Sequence, residues 1–579
     1  MRKKEALLAA ATAVLLLAPP RPAAAAELPA AWDPRPDQVS AVREQYWGTC
    51  WDFGGISSLE SYLIKFGLAD TSVDLSEEDV LWWVNGNYSD PDLNNPSSGF
   101  GWTNLRRNDG GYAAMTTGYL ATVGARAESD IPYLGAAENP EDDQVNDYYY
   151  EGTNQKPANY DTAPVLYQVT DIVYLDETAG PEDIKQAILD YGAVTVSYFD
   201  STEYFHADTA SYWYPESGEA ENGNHTVSVV GWNDSYPKEN FATADGQTPA
   251  SDGAWLIKNS YGTDYGNEGG YTWVSYEDKL LFEVVEYNQM YAIAGARAAE
   301  ERKAYYNDEY GAVSSYYPET EGSFTCANVY EFGSGEALEE VMFMTWSEGA
   351  GYILSYAPVE NGVPVADASR WTTLAEGTVG HAGYTTVALE EPMEVPEGTG
   401  ALVLTLSGDN LNIGTDESLL EGSRPLFNAS IQRNSSFFLK DGTFQEACYE
   451  ATNTYGDIYT AYVNLTLRAY TADIPEPTET PGEEPSVPPV TPTAEPTAEP
   501  ADPTEPENTE PSVSPSGTEA AEEREPASAE KISTTQDIED VRTGDGSNSK
   551  LWISVAAGAA AVLVVIVVIA IVRKHFGNK

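Results

Sequence analysis

The sequence predicts an α+β domain followed by an all-β sandwich, a disordered stalk and a single transmembrane helix. Helix-like spacing of apolar side chains follows Cys50, which indicates a helix early in the chain. Strand-like alternation begins at His225, and short β-rich runs separated by Gly, Pro and acidic turns continue after residue 304. Near the C-terminus, residues 551–572 carry no charged side chain. These patterns together predict the architecture.

The N-terminus has the pattern of a secretory signal peptide. Basic residues at positions 2–4 precede a short apolar run, and alanines follow at positions 23–26. A basic start, an apolar centre and a cleavage site of small residues are typical of a peptide that directs export and is then removed. We therefore expect residues 1–26 to be a signal peptide and the mature protein to be exported.

Residues 551–572 are predicted to form a transmembrane helix. At about 1.5 Å per residue such a helix spans about 33 Å, which is enough to cross a bilayer. Arg573 and Lys574 follow directly. Because basic residues after a span favour the cytoplasmic side, we expect residues 573–579 to be a cytoplasmic tail.

Residues 474–550 lie between the predicted folded part and this helix. They are rich in Pro, Thr, Glu and Ser and contain no aromatic residue. Such a segment cannot bury enough surface to offset the entropy of ordering, so we expect a disordered stalk that proline and charge repulsion keep extended. A stalk followed by an anchor predicts a protein held in the cell membrane with its folded part outside, an architecture typical of a Gram-positive bacterium.

The remaining residues, 27–473, are too many for one ordinary domain and suggest two. We expect a first domain at 27–303 and a second at 304–473. The formal net charge of −62, from 30 basic and 92 acidic residues, excludes a general nucleic-acid binder and disfavours docking on anionic lipid. Three cysteines in so long an exported chain cannot form a disulfide framework, and whether Cys326 and Cys448 pair stays open.

Three side chains of the first domain have the chemistry of a nucleophilic site. Cys50 is expected at or near a helix N-terminus, where the macrodipole stabilises an anion and can lower a thiol pKa. His225 opens an alternating strand, so its ring can face that helix across a cleft, as a thiolate–imidazolium pair requires. Asn259 follows an apolar strand and can accept the other ring N–H, which would orient the imidazole.

Together these stretches resemble the papain family of cysteine peptidases. The resemblance covers roughly residues 28–292, and the ordered set of motifs is more specific than any one of them. The matching pieces, in the family's order, are Gln45, Gly48-Thr49-Cys50-Trp51, Leu75-Ser76-Glu77, Asp109-Gly110-Gly111-Tyr112, Pro132-Tyr133, Asn224-His225 and Lys258-Asn259-Ser260.

The resemblance implies a two-lobed domain, one lobe helical and the other β-rich, with the active cleft between them. By this resemblance Cys50 is the nucleophile, His225 the general base and later the acid, and Asn259 the residue that orients the ring. Gln45, with the backbone N–H of Cys50, forms the oxyanion hole.

The resemblance also implies where the substrate lies. Gly110 and Gly111 form one wall of the cleft, where the missing Cβ atoms let a substrate backbone approach closely. Asn224 lines the cleft beside the histidine. We expect protein or peptide substrates, and no sequence pattern indicates a metal site or a cofactor.

Three positions depart from the family's usual pattern. Gln45 lies five residues before Cys50, one fewer than is usual. Tyr261 replaces the usual tryptophan over the asparagine. Asp52 stands where the family usually has a small residue, and a charged carboxylate there would raise the pKa of a neighbouring thiol. We therefore expect Cys50 to be less acidic than is usual in the family.

The short β-rich runs after residue 304 predict a β-sandwich. By position and pattern this domain resembles the lectin-like sandwich that follows papain-like domains in bacterial surface proteins. The resemblance implies binding of cell-wall or host glycans, although a purely supporting role fits the sequence equally well.

The sequence therefore predicts a cell-surface-anchored papain-like cysteine peptidase that hydrolyses peptide bonds through a thioester acyl-enzyme. Two alternatives stay open. One is a non-catalytic surface adhesin built on a degenerate peptidase scaffold, and the other is an amidase that cleaves cell-wall peptides.

Overall fold

The structure is a computed structural model, and it describes residues 28–85, 101–102, 110–133, 157–216, 218, 220, 222–243, 246–282, 289–300, 302–319, 322–421, 424–452 and 458–474. The predicted signal peptide, the stalk beyond residue 474, the transmembrane helix and the cytoplasmic tail lie outside these residues. Within the residues that are described, no helix is both long and apolar enough to cross a membrane.

Four α-helices are present in the described residues, and three of them pack into a helical lobe. Most of the buried apolar side chains of the first three helices belong to one core cluster, whereas those of the fourth pack under a sheet. The helices are α1 (Cys50–Lys65), α2 (Glu77–Asn85), α3 (Ala113–Thr122) and α4 (Pro181–Tyr191).

Helix α1 begins at the cysteine, as the spacing of its apolar residues predicts. Every residue from 51 to 63 is buried, because α1 lies between the other helices and the sheet. Gly55 makes this close approach possible: a Cβ atom there would lie 2.3 Å from Thr116 Cγ2 and 2.4 Å from the Tyr291 hydroxyl. The absence of a side chain thus brings the helix against both neighbours.

Antiparallel strands form most of the second lobe of the first domain. The strands as far as residue 298 are β1 (Ala31–Trp32), β2 (Gly101–Trp102), β3 (Tyr167–Leu175), β4 (Val194–Tyr198), β5 (Phe205–His206), β6 (Ser211–Tyr212), β7 (His225–Asn233), β8 (Ala254–Lys258), β9 (Tyr271–Ser275) and β10 (Met290–Ala298). Strand β7 pairs with β4 on one side and β8 on the other. His225, the first residue of β7, therefore lies near the ends of β4 and β8.

From residue 302 to 474 the described chain is almost entirely β. Its strands are β11 (Lys303–Tyr305), β12 (Ser314–Tyr316), β13 (Gly322–Phe332), β14 (Glu336–Thr345), β15 (Gly351–Glu360), β16 (Val363–Pro364), β17 (Thr372–Thr378), β18 (Gly383–Glu394), β19 (Gly398–Gly408), β20 (Ile413–Asp416), β21 (Leu419–Glu421), β22 (Arg424–Asn428), β23 (Ser436–Lys440), β24 (Thr443–Glu446), β25 (Cys448–Thr452), β26 (Ile458–Tyr462), β27 (Asn464–Leu465) and β28 (Leu467–Asp473).

Two sheets of this region enclose an apolar core, which is the arrangement of a sandwich. One sheet contains β14 and β28, and the other contains β15, β19, β13 and β23. Buried side chains from both sheets, among them Val341, Phe343, Leu404 and Leu467, fill the space between them. The prediction of a β-rich second domain is confirmed.

The sheets of the two domains are joined edge to edge. Strand β18 of the second domain pairs with β3 of the first, with Tyr384 opposite Ile172 and Gly383 opposite Val173. Strands β14, β18, β3, β10, β4, β7 and β8 consequently follow one another in a single thirteen-stranded sheet.

Candidate active site

Cys50 is the first residue of α1, so its thiol lies at the positive end of a long helix. Burial raises the pKa of the thiol, but hydrogen bonds to the His225 ring and to the backbone N–H groups of Thr226 and Trp51 outweigh burial. The pKa of Cys50 is therefore lowered from its usual 9.0. The cysteine has the surroundings of a reactive thiol.

His225 starts β7 and is 4% exposed. Its Nε2 lies 2.9 Å from Asn259 Oδ1. That oxygen also accepts the backbone N–H of Ser260 at 2.7 Å, so it is an acceptor and Nε2 donates. With Nε2 committed to the asparagine, Nδ1 is the nitrogen left to pair with the Cys50 thiol.

The pKa of His225 reflects opposing influences. Burial lowers it, whereas the hydrogen bond to Cys50, the charges of Cys50 and Asp200, and the hydrogen bond to Asn259 raise it. The net shift is upward from 6.5. Because the pKa of Cys50 falls while that of His225 rises, both shifts favour transfer of the thiol proton to the ring.

Asn259 is the residue directly after β8, the strand beside β7. It is 2% exposed, and its backbone N–H donates to Gly270 O at 3.2 Å. The structure thus brings Cys50, His225 and Asn259 together in one hydrogen-bonded row.

Gln45 is tied to the segment that follows the asparagine. Its backbone N–H donates to Ser260 O at 2.8 Å, and its Oε1 accepts the Ser260 hydroxyl at 2.5 Å. One Nε2 hydrogen is directed at Trp47 O, 2.8 Å away. An oxyanion would therefore have to use the second Nε2 hydrogen.

The two glycines of the predicted cleft wall differ in their surroundings. Gly110 has a φ of +81°, and a Cβ atom there would meet nothing within 4 Å. A Cβ atom on Gly111 would lie 2.4 Å from the Trp51 indole, next to the nucleophile. Gly111 is thus required for packing, whereas a Cβ atom at Gly110 would extend into open space.

Asn224, predicted to line the cleft, makes hydrogen bonds within the protein. Its Oδ1 accepts the backbone N–H of Asp200 at 2.6 Å, and its Nδ2 donates to Asp200 O at 3.0 Å. The side chain therefore ties the residue before His225 to the end of β4.

Asp52 behaves differently from the expectation based on sequence. It is fully buried, and neither carboxylate oxygen has a hydrogen-bond partner. Burial, followed by the charges of Glu77, Glu78 and other acidic neighbours, raises its pKa well above 3.8. The raised pKa favours the neutral carboxyl, which opposes a thiolate less than the charged carboxylate expected from the sequence would.

Sequence reasoning did not single out Asp200, whose charge raises the pKa of His225. Asp200 lies two residues beyond β4, and Tyr198 in that strand is opposite His225. An acidic residue just after a buried strand is a usable signal only when the neighbouring strand is known. No local sequence pattern specifies the order of the strands in the sheet.

The three cysteines are free, so no disulfide joins Cys326 and Cys448. Cys326 is fully buried, and burial raises the pKa of its thiol. Within the described part of the chain, no group of three or more His, Cys, Asp and Glu side chains is placed to hold a metal ion.

Two family models match this chain. Residues 28–293 match the papain family of cysteine proteases, and residues 304–471 match a lectin-like domain. Among curated relatives, the chain is 26% identical over 235 residues to cathepsin K of Mus musculus and 24% identical over 233 residues to a cathepsin L-like peptidase of Aedes aegypti. These matches cover 40% of this chain and 55% and 54% of the relatives, so the chain spans about half the length of each.

Two solved structures are similar over both domains. The clostridial cysteine protease Cwp84 after propeptide cleavage is 32% identical, with a TM-score of 0.63 over 76% of this chain and 99% of that one. The cysteine protease and lectin-like domains of Cwp84, described as a surface layer associated protein of Clostridium difficile, are 31% identical, with a TM-score of 0.62 over 77% and 89% of the two chains. With this similarity over nearly the whole of a solved relative, the chain belongs to the papain family of cysteine peptidases and carries a lectin-like domain after its peptidase domain.

Proposed function

We propose that this protein hydrolyses peptide bonds through Cys50, His225 and Asn259. The observation that carries the proposal is the unbroken row of hydrogen bonds from the thiol through the imidazole to the asparagine. A thiol with a lowered pKa beside an imidazole with a raised pKa supplies both a nucleophile and a proton donor near neutral pH.

The proposed reaction proceeds in two halves. The Cys50 thiolate attacks the carbonyl carbon, and a C–S bond forms as the carbonyl oxygen takes the negative charge. The Cys50 backbone N–H and the free Nε2 hydrogen of Gln45 would stabilise that oxyanion. As the C–N bond breaks, the Nδ1 proton of His225 passes to the leaving amine, which leaves a thioester.

The second half regenerates the thiolate. The now neutral His225 takes a proton from water, and the hydroxide formed attacks the thioester carbon. The C–S bond then breaks, the acid product leaves, and the imidazolium remains paired with the thiolate. Asn259 Oδ1 accepts the hydrogen bond from Nε2–H throughout and keeps Nδ1 directed at the sulfur.

The site is tested by labelling the full chain with an epoxide inhibitor of papain-like enzymes and mapping the modified residue by mass spectrometry. We expect modification at Cys50 alone, and at least ~100-fold slower labelling in His225→Ala because the proton acceptor is gone. Cys448, which is partly exposed, is an internal control for ordinary thiol reactivity. Equal labelling of Cys448 and Cys50 would contradict the proposal.

We also propose that the protein is exported and held in the cell membrane by residues 551–572, with its folded domains outside. The uncharged span and the basic residues after it support this location, as does the similarity to a surface layer associated protein. Protease treatment of intact cells tests it: we expect release of a fragment that contains the folded domains. Complete resistance, with cleavage only after lysis, would contradict an outside location.

The lectin-like match supports a second proposed activity, which is binding of cell-wall or host glycans through residues 304–473. A glycan array probed with the Cys50→Ala chain would detect this binding without proteolysis. Binding together with no epoxide labelling of the natural chain would favour the adhesin alternative. Release of peptides from purified cell wall, with no cleavage of protein substrates, would favour the amidase.

A further inference from the structure

Asp200 receives hydrogen bonds from two tyrosines that flank His225. Its Oδ1 accepts the Tyr198 hydroxyl at 2.9 Å, and its Oδ2 accepts the Tyr261 hydroxyl at 2.9 Å. Tyr198 lies in β4 opposite His225, and Tyr261 lies two residues after Asn259. One carboxylate thus joins the two segments that border the imidazole.

The main chain of Asp200 is fixed to the residue before the histidine. Both polar atoms of the Asn224 side chain bond to the Asp200 backbone, and the Asn224 backbone N–H donates to Tyr198 O at 3.0 Å. The position of the carboxylate relative to His225 is therefore set by three hydrogen bonds that do not involve the carboxylate itself.

Tyr261 lies flat against the imidazole. The two ring centroids are 4.7 Å apart and the planes differ by only 9°. A hydroxyl that donates to a carboxylate makes its aromatic ring richer in electrons, and such a face attracts a cation. The hydrogen bond also prevents the Tyr261 ring from swinging away from His225.

We propose that Asp200 is a positioning residue of this site, which holds Tyr261 over His225 and stabilises the imidazolium with its negative charge. The proposal rests on the proposed peptidase function. The hydrogen bonds of its carboxylate go to Tyr198 and Tyr261, so Asp200 acts on His225 through Tyr261 and through its charge.

The groups that face His225 come from every element packed against the ring. Helix α1 contributes the Cys50 thiol, β4 contributes Tyr198 with its ring 5.7 Å away, and the segment after β8 contributes Tyr261. Asp200 adds a carboxylate near the ring, and its charge acts with that of Cys50 to raise the pKa of His225. Without that carboxylate, the imidazolium loses its proton at a lower pH.

The test measures the pH dependence of the full chain and of Asp200→Asn, which keeps the size of the side chain and removes its charge. The readouts are kcat/KM on a peptide substrate and the rate of iodoacetamide alkylation mapped to Cys50. We expect the alkaline limb of the kcat/KM profile to move down by about one pH unit, because the leaving amine needs the imidazolium proton. The alkylation profile, in which the thiolate stays reactive after His225 loses its proton, should show its alkaline inflection moving down by the same amount. We also expect kcat to fall about tenfold while KM changes less than about twofold, since Asp200 holds the base and not the substrate.

Two further variants make the result specific. Glu203→Gln removes a charge from an exposed residue of the same loop and is expected to leave both profiles unchanged. Tyr261→Phe deletes one hydroxyl while the charge stays, so we expect a smaller downward shift, and this variant carries the test if Asp200→Asn does not fold. Rescue of the natural profile in Asp200→Glu would separate a charge effect from loss of packing.

Each failure points to a different conclusion. If the natural chain alkylates at Cys50 with the pH profile of an ordinary thiol, the proposed peptidase site fails. If the natural chain has a thiolate–imidazolium profile and the Asp200→Asn profile coincides with it, only the role of Asp200 is overturned. A change confined to KM would likewise overturn it, because it would place Asp200 at the substrate.

Discussion

At the residue scale, the pKa values of Asp52 and Cys50 shift in opposite directions, although burial raises both. The thiol has partners that stabilise its anion, so its pKa falls. The carboxyl of Asp52 has none, and acidic neighbours surround it. Because an ionised carboxylate without a partner is very costly in a protein interior, the folded state favours the protonated form of Asp52.

This protonation makes a prediction about stability. The unfolded chain ionises Asp52 near its ordinary pKa of about 3.9, whereas the folded chain does not, so the free energy of unfolding falls as pH rises above that value. Asp52→Asn removes the effect. We expect it to raise the free energy of unfolding by about 1–2 kcal/mol at pH 7 and by almost nothing at pH 4, measured by urea denaturation.

The matched control for this prediction is Asp37→Asn, at an exposed position. It is expected to change the free energy of unfolding by less than about 0.5 kcal/mol across the same pH range. If Asp52→Asn were equally destabilising at pH 4 and pH 7, Asp52 would be ionised in the folded protein.

The residues of the site differ in how far the sequence could predict them. Cys50 starts a helix, His225 starts a strand and Asn259 follows a strand, so each lies at a place that the sequence pattern can identify. The structure brings the three side chains together. Asp200 could not be identified, because its importance comes from the pairing of β4 with β7 and from a tyrosine contributed by a third segment. The burial of Asp52, which raises its pKa, could not be predicted either, because burial depends on the whole fold.

At the scale of elements, α1 was predicted from one apolar stripe, yet the structure buries all its sides between residues 51 and 63. Polar residues of α1 are therefore buried in the protein interior. Glu60, 1% exposed, accepts the backbone N–H of Leu75 at 3.0 Å and lies 3.8 Å from the Lys258 ammonium. This contact joins the helix that begins with Cys50 to the strand that ends beside Asn259, a link that helical periodicity cannot predict.

The pairing of β18 with β3 depends on a glycine. Gly383 has a φ of +124°, and a Cβ atom there would lie 1.9 Å from Ile172 O. Gly383→Ala should therefore strain the backbone and also separate the two strands. We expect it to lower the free energy of unfolding by about 2–3 kcal/mol more than a glycine substitution without the clash, measured by urea denaturation.

Gly398→Ala provides that comparison. Gly398 has a φ of +104°, but the nearest atom to a Cβ there is 3.8 Å away, so the substitution costs backbone strain alone. If both variants lost the same free energy of unfolding, the clash with β3 at residue 383 would add nothing to the cost of local backbone strain.

At the scale of the whole molecule, the peptidase and lectin-like domains share a sheet and also a buried ion pair. Arg468 and Asp308 are both fully buried, with a closest approach of 2.7 Å. Arg468 in β28 also donates to Ala121 O at 2.8 Å and to Thr122 Oγ1 at 2.9 Å, at the end of α3. A lectin-like strand thus satisfies carbonyl and hydroxyl groups at the C-terminus of a peptidase helix.

The sequence indicated two domains because the residue pattern changes near 304, and it could not show how closely they are joined. Strand β3 and strand β18 pair across a long separation in sequence, and nothing local to either strand specifies the partner. Likewise, an arginine in a predicted strand looks like a surface residue until its acidic partner and helix end are known.

These links predict that the two domains unfold as one unit. Scanning calorimetry of the full chain should give a single transition for the folded part, with loss of peptidase activity at the same temperature. Arg468→Ala leaves Asp308 buried without its partner. We expect this to reduce the free energy of unfolding by about 3–5 kcal/mol and to lower the temperature of the single transition without splitting it in two. Arg433→Ala, which breaks an exposed pair with Glu446, should cost at most about 1 kcal/mol. Two separate transitions, with activity surviving the first, would show that the peptidase domain is stable without its lectin-like neighbour.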